Sequence, residues 1–243
     1  MAKMPFGLPA PQFSQATVVD EYISKHLLPP SQTSNDALQH ALSNSAKYGL
    51  PPISVSASQG KFLKLQCQLQ GAKKILEIGT LGGYSTIWFA GAGKDVHVTS
   101  IEINPKHRDV ALENIRYAGL SRQVDVILGA ALDVLPKLAG EIQEGTRDKF
   151  DFVFIDADWG EQWDYFDLAV KMVEKGSCIY VDNVVRQLLE SGITDKDAEH
   201  NSEPVRGMQE LVERVGRDSR VDAVVMQTVG AKSYDGFLMA IAK

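Results

Sequence analysis

From residue 73 onward, short apolar runs alternate with helical segments, and this alternation constrains the fold more than any other feature. The runs span residues 74–78, 96–101, 124–128, 150–155, 177–181, 223–228 and 236–241. They are apolar throughout rather than at every second residue, which predicts strands covered on both faces, as in a parallel sheet. Strand–helix alternation predicts an α/β doubly wound sheet with its ligand at the carboxyl ends of the strands.

The two ends of the chain depart from this alternation. The last two runs are joined by a segment that contains Gly230, which predicts an antiparallel C-terminal hairpin. Before residue 73, apolar residues recur at helical spacing in 17–28, 35–48 and 58–70. We therefore expect one domain over residues 1–243. It comprises a helical extension over 1–70 and an α/β core over 71–243, with a seven-stranded, mostly parallel sheet and helices on both faces.

Composition excludes several classes of protein. A net charge of −6 argues against binding to a nucleic-acid backbone. The two cysteines, Cys67 and Cys178, form neither a disulfide framework nor a CxxC metal pair, which favours buried thiols in a reducing compartment. No stretch approaches the roughly 20 apolar residues of a membrane span, and the first 15 residues lack a signal-peptide run. We expect a cytoplasmic protein without nucleic-acid or membrane partners.

A glycine-rich turn follows the first predicted strand and leads into a helix. The pattern is E-x-G-x-x-x-G over Glu77, Gly79 and Gly83, which differs from the GxGxxG of dinucleotide binders and makes a nicotinamide-dependent oxidoreductase an unfavoured alternative. No lysine of a P-loop follows the glycines. The second strand ends near Glu102, where a carboxylate can accept both hydroxyls of a ribose. Together the turn and Glu102 indicate an adenosine-containing ligand; the alternative for Glu102 is a solvated strand-end carboxylate.

Oxygen-bearing side chains follow two other predicted strands. Asp156 and Asp158 come directly after residues 150–155, and Asp182 and Asn183 come after residues 177–181. Because neighbouring parallel strands end at the same edge, about 4.8 Å apart, Asp156, Asp182 and Asn183 can converge on one point. Such hard oxygen ligands suit Mg²⁺ or a similar cation. The alternative is that Asp156 or Asp182 caps the helix that follows.

These residues together resemble the class I cation-dependent O-methyltransferases, which include the catechol and caffeoyl-coenzyme A enzymes. The similarity is greatest to the bacterial-type branch and covers roughly residues 18–242. It rests on ordered motifs at the spacing of the family: Gly49-Leu50-Pro51-Pro52-Ile53, Leu76-Glu77-Ile78-Gly79 with Gly83-Tyr84-Ser85, Phe154-Ile155-Asp156-Ala157-Asp158, Asp182-Asn183-Val184-Val185-Arg186, Val205-Arg206-Gly207 and Tyr234-Asp235-Gly236-Phe237.

The resemblance implies a Rossmann-like fold and methyl transfer from S-adenosylmethionine (SAM) to a hydroxyl of a small, catechol-like aromatic molecule, which leaves S-adenosylhomocysteine (SAH). It also implies a homodimer and a divalent cation, Mg²⁺, on Asp156, Asp182 and Asn183. The implied cofactor-binding residues lie along the whole core: Val55, Glu77, Gly79, Gly83, Tyr84, Ser85, Glu102, Ile103, Gly129, Ala130, Ala131, Asp156, Asp158 and Tyr165.

One position departs from the family pattern. Three residues after the first metal-binding aspartate, the family usually has a lysine that deprotonates the acceptor; here the residue is Trp159, whose indole N–H only donates. Three hypotheses follow for the candidate catalytic residues Asp156, Asp158 and Trp159. The cation alone lowers the pKa of the acceptor hydroxyl, Asp158 takes the proton, or Trp159 marks an altered acceptor pocket.

The last hypothesis defines the alternative function. It is a SAM-dependent methyltransferase with metal-independent or altered acceptor chemistry, or a catalytically weakened SAM-binding protein. A polar, acidic segment over residues 188–203 lacks periodicity and predicts a mobile lid over the acceptor, or else a surface insertion.

Overall fold

A seven-stranded sheet forms the centre of the protein in a computed structural model that describes residues 10–28, 33–190, 210–230 and 234–243. Its strand order is β3-β2-β1-β4-β5-β7-β6. The first five strands pair in parallel, and β7 pairs antiparallel with both β5 and β6. The strands are β1 (Lys74–Ile78), β2 (His97–Glu102), β3 (Val124–Leu128), β4 (Phe150–Ile155), β5 (Val173–Val181), β6 (Val221–Val229) and β7 (Tyr234–Ala242).

Helices cover both faces of this sheet. Helices α2 through α5 pack on one face of the sheet in one buried cluster. Helices α6 through α9 pack on the opposite face in a second cluster. The helices are α1 (Ala10–Leu27), α2 (Thr33–Lys47), α3 (Ala57–Gln70), α4 (Tyr84–Ala90), α5 (Pro105–Tyr117), α6 (Ala131–Gln143), α7 (Gln162–Met172), α8 (Val184–Glu190) and α9 (Glu210–Arg217). A short 3₁₀ helix, Trp159–Glu161, precedes α7. The expected layers, mixed sheet and C-terminal hairpin are therefore confirmed.

The central strands are apolar on both faces because each face meets a different helical layer. In β1, Leu76 and Ile78 join the cluster of α6 to α9, whereas Ile75 joins the cluster of α2 to α5. Burial on both faces explains why the apolar residues of these strands run without alternation. Cys67 and Cys178 are buried as free thiols, and burial raises the pKa of both.

Several predicted boundaries were wrong. Helix α1 begins at Ala10 rather than at residue 17, and strands β5 and β6 begin at Val173 and Val221, four and two residues earlier than expected. The predicted lid begins within α8, and its residues 191–203 lie outside the described residues. None of the helices in the described ranges is long and apolar enough to cross a membrane.

Candidate active site

A large cleft of about 1950 Å³ opens at the carboxyl ends of β1, β2, β4 and β5. Its floor contains the turns that follow these strands, and its walls come from α1, α2, α3 and the β6–β7 hairpin. A doubly wound sheet places ligands at this edge because the strand order reverses there. Here β1 lies between β2 and β4, so the chain leaves β1 at the reversal point.

The turn after β1 brings two strand ends unusually close together. Gly79 has φ of +99°, and a Cβ built on it would lie 2.0 Å from the carbonyl oxygen of Asp156. The Asp156 N–H donates to the Ile78 carbonyl at 2.9 Å, and the Gly79 N–H donates to Ile101 at 3.0 Å. Only glycine tolerates this backbone conformation and contact without strain. Gly79 therefore sets the distance between the glycine-rich turn and Asp156.

Glu102 is held in place at the end of β2. Its side chain is buried, and its two carboxylate oxygens accept the backbone N–H groups of Leu81 and Asn104, each at 2.8 Å. His107 lies 3.7 Å from the same carboxylate. These contacts exclude the alternative of a solvated carboxylate. They fix a carboxylate at the lip of the cleft, where the sequence predicts an acceptor for ribose hydroxyls.

Glu77 lies beneath the glycine-rich turn rather than in the lining of the cleft. Its fully buried carboxylate accepts hydrogen bonds from the hydroxyls of Ser85 at 2.5 Å, Ser100 at 2.6 Å and Thr86. Burial raises the pKa of Glu77 to about 7, although the three hydroxyl donors oppose the shift. We therefore assign Glu77 to the support of the turn, because its side chain is fully buried and does not line the cleft.

Glu77 makes the free energy of unfolding depend on pH. Between its ordinary pKa of 4.5 and its folded pKa of about 7, the native protein holds a proton that the unfolded chain has lost. Stability therefore falls as pH rises through this range, by on the order of 3 kcal/mol in total. Glu77→Gln cannot ionise and should flatten the profile. Urea unfolding from pH 4.5 to 8 measures it, with exposed Glu144→Gln as the control, and equal slopes for both variants would contradict the assignment.

The other predicted cofactor residues surround the cleft, with one exception. Gly83 lies behind the lining and faces Ala111 of α5, at 3.4 Å from the position of an added Cβ. The residues brought together in the lining are Val55, Gly79, Tyr84, Ser85, Glu102, Ile103, Gly129, Ala130, Ala131, Asp156, Asp158 and Tyr165. Residues that are up to about 110 positions apart in sequence thus meet around one space.

The candidate metal ligands lie in the same cleft at the ends of β4 and β5. Asp182 is buried; its Oδ1 accepts the Asn183 N–H at 2.9 Å, and its Oδ2 accepts Gln59 Nε2 at 2.8 Å. Asn183 has φ of +61°, and its Nδ2 donates to Asp235 Oδ2 at 2.9 Å. Asp235 thus fixes the orientation of the amide, and the Oδ1 that remains is the atom able to bind a cation.

A carboxylate outside this set meets a backbone N–H in the first turn of α8. Asp235, from β7, accepts the Arg186 N–H of α8 at 3.0 Å and the Gly236 N–H at 2.7 Å. Among the residues that the structure describes, no three His, Cys, Asp or Glu side chains group as a metal site. The candidate set here contains two carboxylates and one amide, a composition that hard cations accept.

Trp159 and Asp158 lie at the start of the 3₁₀ helix. Asp158 caps that helix, since its Oδ1 accepts the Gly160 N–H at 2.9 Å. The indole of Trp159 lines the cleft, and the guanidinium carbon of Arg186 lies 5.6 Å from its ring centroid. Next to them, the Tyr165 hydroxyl donates to the Glu161 carboxylate, and burial and this carboxylate raise the pKa of Tyr165.

Sequence reasoning assigned no role to three residues that shape this end of the cleft: Gln59, Arg186 and Asp235. The latter two lie within recognised motifs, but nothing in their spacing showed what they contact. Gln59 lies 123 positions from its partner Asp182. Aromatic side chains that sequence reasoning also missed form one wall, where Tyr180 stacks on Phe237 with ring centroids 4.4 Å apart, beside Phe62.

The chain is similar to known proteins in both sequence and structure. The model of an O-methyltransferase family matches residues 30–240. The chain belongs to the O-methyltransferase family. The O-methyltransferase imqG of Aspergillus flavus is 49% identical over 93% of this chain and 90% of its own length. Catechol O-methyltransferase of Niastella koreensis is 44% identical over 93% of this chain and 96% of its own length.

Solved structures agree with the family assignment. The O-methyltransferase from Bacillus cereus, determined in complex with SAH, is 41% identical and superimposes with a TM-score of 0.84. That match covers 95% of this chain and 100% of the bacterial one. The comparisons confirm the family resemblance, the Rossmann-like fold and the enzyme class, a SAM-dependent O-methyltransferase.

Proposed function

We propose that this enzyme transfers the methyl group of SAM to a hydroxyl of a small, catechol-like aromatic acceptor that is held on a divalent cation, Mg²⁺. One observation carries the proposal: a single cleft contains both the fixed Glu102 carboxylate and the oxygen ligands Asp156, Asp182 and Asn183. The first suits the ribose of an adenosine, and the second suits a cation that binds two vicinal hydroxyls.

The cofactor half of the cleft fits SAM. Glu102 accepts the ribose hydroxyls, while the segment Gly129-Ala130-Ala131 lies beside the adenine and offers the Ala131 N–H at the start of α6. The carboxylates of Asp156 and Asp158 line the space between the strands, where the ammonium and sulfonium charges of SAM are attracted. The complex of the Bacillus cereus relative with SAH supports SAM as the cofactor.

The donor chemistry of the other half fits a hard cation. Asp156 and Asp182 supply carboxylate oxygens, and Asp235 orients the amide of Asn183 so that its oxygen remains for the ion. A cation bound there would orient a vicinal diol and lower the pKa of its hydroxyls. The name of the Niastella koreensis relative, a catechol O-methyltransferase, supports a vicinal diol as acceptor.

The protein mainly positions the two reactants. The acceptor oxygen bonds to the methyl carbon while the carbon–sulfur bond breaks and its electron pair stays on sulfur. Trp159 cannot take the acceptor proton, because its indole N–H only donates, and Asp158 is held as the cap of the 3₁₀ helix. We place the proton in solvent at the mouth of the cleft, because a cation that lowers the pKa of the hydroxyl would make a protein base unnecessary. Phe62, Tyr180 and Phe237 provide an apolar aromatic wall for the acceptor ring.

A second candidate function rests on Trp159 alone. Because its indole occupies the position of the expected base, the enzyme would methylate a different nucleophile without a metal, or bind SAM with little turnover. The converging oxygen ligands favour the first proposal, since an enzyme without a cation gains nothing from an amide oriented by Asp235.

The experiment that tests the proposal follows SAH formation from SAM with a panel of vicinal dihydroxy aromatics in Mg²⁺. A matched panel carries one of the two hydroxyls as a methyl ether. Turnover of the diols but not of their ethers is expected, because an ether oxygen has no proton to lose and binds a cation more weakly than a hydroxyl does. Equal turnover of both panels, or SAM binding without turnover, would favour the second candidate.

We also propose that the enzyme is a homodimer. Leu65 and Leu69 of α3 and Val224, Met226 and Ile241 of the hairpin are exposed large apolar residues, with Leu69 82% exposed. The three hairpin residues lie on the same face of the sheet as α3. Val224 pairs with Met239 and Met226 pairs with Phe237, and both partners pack against the cluster that contains α3. An exposed apolar patch of this kind suits a subunit interface.

Sedimentation should give twice the 26.6 kDa mass of the chain. Leu69→Glu should yield monomers, because a charge would be buried in the interface. Leu128→Glu, at the opposite edge of the sheet and also exposed, is the matched control. A wild-type monomer at micromolar concentration would contradict the proposal.

We place the enzyme in the cytoplasm, a reducing compartment in which Cys67 and Cys178 stay thiols.

A further inference from the structure

The charges that line the cleft are unbalanced. Among the described lining residues, the basic side chains are His107, beside Glu102 at the ribose end, and Arg186 at the acceptor end. The acidic ones surround both ends: Asp20, Glu21, Glu102, Asp156, Asp158, Glu161, Asp182 and Asp235. A guanidinium keeps its charge throughout the pH range of enzymes. Arg186 is therefore the permanently charged cation among the described lining residues, and its ion pair with Glu190 offsets part of that charge.

Arg186 is held in place from three sides. Its guanidinium carbon lies 5.6 Å from the ring centroid of Trp159, and its Nε donates to Glu190 Oε1 at 2.9 Å. Its backbone N–H donates to Asp235 Oδ1, whose other oxygen accepts from Asn183. The backbone of Arg186 is thus tied through Asp235 to the turn that carries the candidate cation ligands, while Trp159 and Glu190 hold the guanidinium. Its side chain is 40% exposed, so solvent screens part of its charge.

The proposed reaction would gain from such a charge in addition to the bound cation. When the acceptor oxygen forms its bond to the methyl carbon, it must have lost its proton, and negative charge accumulates on the oxygen before transfer. The carboxylates around it disfavour that charge, whereas a cation within about 6 Å favours it. Trp159 contributes no charge, but its ring keeps the guanidinium over the cleft.

We propose that Arg186 stabilises the ionised hydroxyl of the acceptor and so lowers the pKa at which the acceptor becomes reactive. The proposal rests on the proposed function, since it requires a hydroxylated acceptor in this cleft. In this proposal, the ring of Trp159 positions the guanidinium of Arg186, which stabilises the ionised acceptor but does not act as its base. The proton of the acceptor passes to solvent, and the negative oxygen stays beside Arg186 until the methyl group arrives.

The test uses 4-nitrocatechol, whose ionised form absorbs at longer wavelength than its neutral form. It is titrated with pH on the full chain with SAH and Mg²⁺ for wild type, Arg186→Met and Arg186→Lys. Methionine keeps the apolar stem and loses the charge. We expect Arg186→Met to raise the pKa of the bound catechol by about one unit and to lower kcat/KM about tenfold below that pKa. Arg186→Lys should restore most of both.

Arg214 offers a matched control. It lies 5.2 Å from the ring centroid of Trp163 and pairs with Glu210 at 3.1 Å, the same pattern of contacts, but it does not line the cleft. Arg214→Met should leave the titration of nitrocatechol unchanged. SAM binding by calorimetry serves as the measure of folding for every variant.

The outcomes separate this inference from the proposed function. A wild-type enzyme that turns over diols, with the same nitrocatechol titration in wild type and Arg186→Met, overturns the role of Arg186 alone. An effect of Arg186→Met confined to the KM of carboxylated acceptors such as 3,4-dihydroxybenzoate also overturns it. Arg186 would then bind the carboxylate substituent of the acceptor and not its ionised hydroxyl. A wild-type enzyme that binds no catechol overturns both proposals.

Discussion

Chelation of the divalent cation with EDTA is expected to abolish methyl transfer, and Asp182→Asn is expected to reduce it roughly 100-fold at a fixed Mg²⁺ concentration. Asp182 is buried, and the Asn183 N–H and Gln59 Nε2 hold its two oxygens in one orientation. The variant keeps the shape of the side chain but removes one of the two negative charges in the candidate set. Raised Mg²⁺ should therefore recover part of the activity.

The measurement is SAH formation across an Mg²⁺ titration, together with SAM affinity by calorimetry. SAM affinity should remain that of the wild type, because Asp182 is not among the proposed cofactor contacts, which are Glu102, the Ala131 segment, Asp156 and Asp158. Asp95→Asn removes one carboxylate from an exposed turn outside the cleft and serves as the control for net charge. Turnover that is indifferent to EDTA would contradict the role given to Asp156, Asp182 and Asn183, and would favour the metal-independent alternative.

The fold could be predicted where burial alone determines the pattern. The central strands lie between two helical layers, so their sequences are mostly apolar on both faces, and the predicted runs agree with β1 and β4 and with the edge strand β3. The missed start of β5 has a physical cause. Glu174 and Lys175 are exposed, and Val173 belongs to the sheet only because it pairs with Phe150 of β4 across an irregular register. Such long-range pairing leaves no local pattern.

The same distinction applies to the candidate site. Residues at strand ends, such as Glu102 and Asp182, could be predicted because topology places every parallel strand end at one edge. Gln59 and Asp235 could not, since they act through side-chain contacts with residues 123 and 52 positions away. Glu77 illustrates the opposite case: its motif placed it at the cofactor, but its burial and hydroxyl partners place it beneath the turn.

Gly79→Ala is expected to have the largest effect on stability among single substitutions in the glycine-rich turn. The added Cβ would lie 2.0 Å from the Asp156 carbonyl oxygen and 2.9 Å from its carbonyl carbon, in a backbone with φ of +99°. Both atoms belong to the backbone, so no side-chain rotation can relieve the contact, and β1 and β4 must move apart. We expect a loss of about 3–5 kcal/mol in the free energy of unfolding.

Gly119→Ala separates the two causes of this loss. Gly119 also has a positive φ, +72°, but a Cβ there meets nothing within 4 Å, so only the conformational strain of about 1–2 kcal/mol remains. Urea unfolding of both variants measures the difference, which is the contribution of the contact between Gly79 and Asp156. A displaced carbonyl of Asp156 also moves the side chain of Asp156, a candidate cation ligand. Any folded Gly79→Ala protein should therefore need more Mg²⁺ for turnover. Equal losses of stability in the two variants would mean that the strand ends separate without penalty, and that Gly79 does not set the position of Asp156.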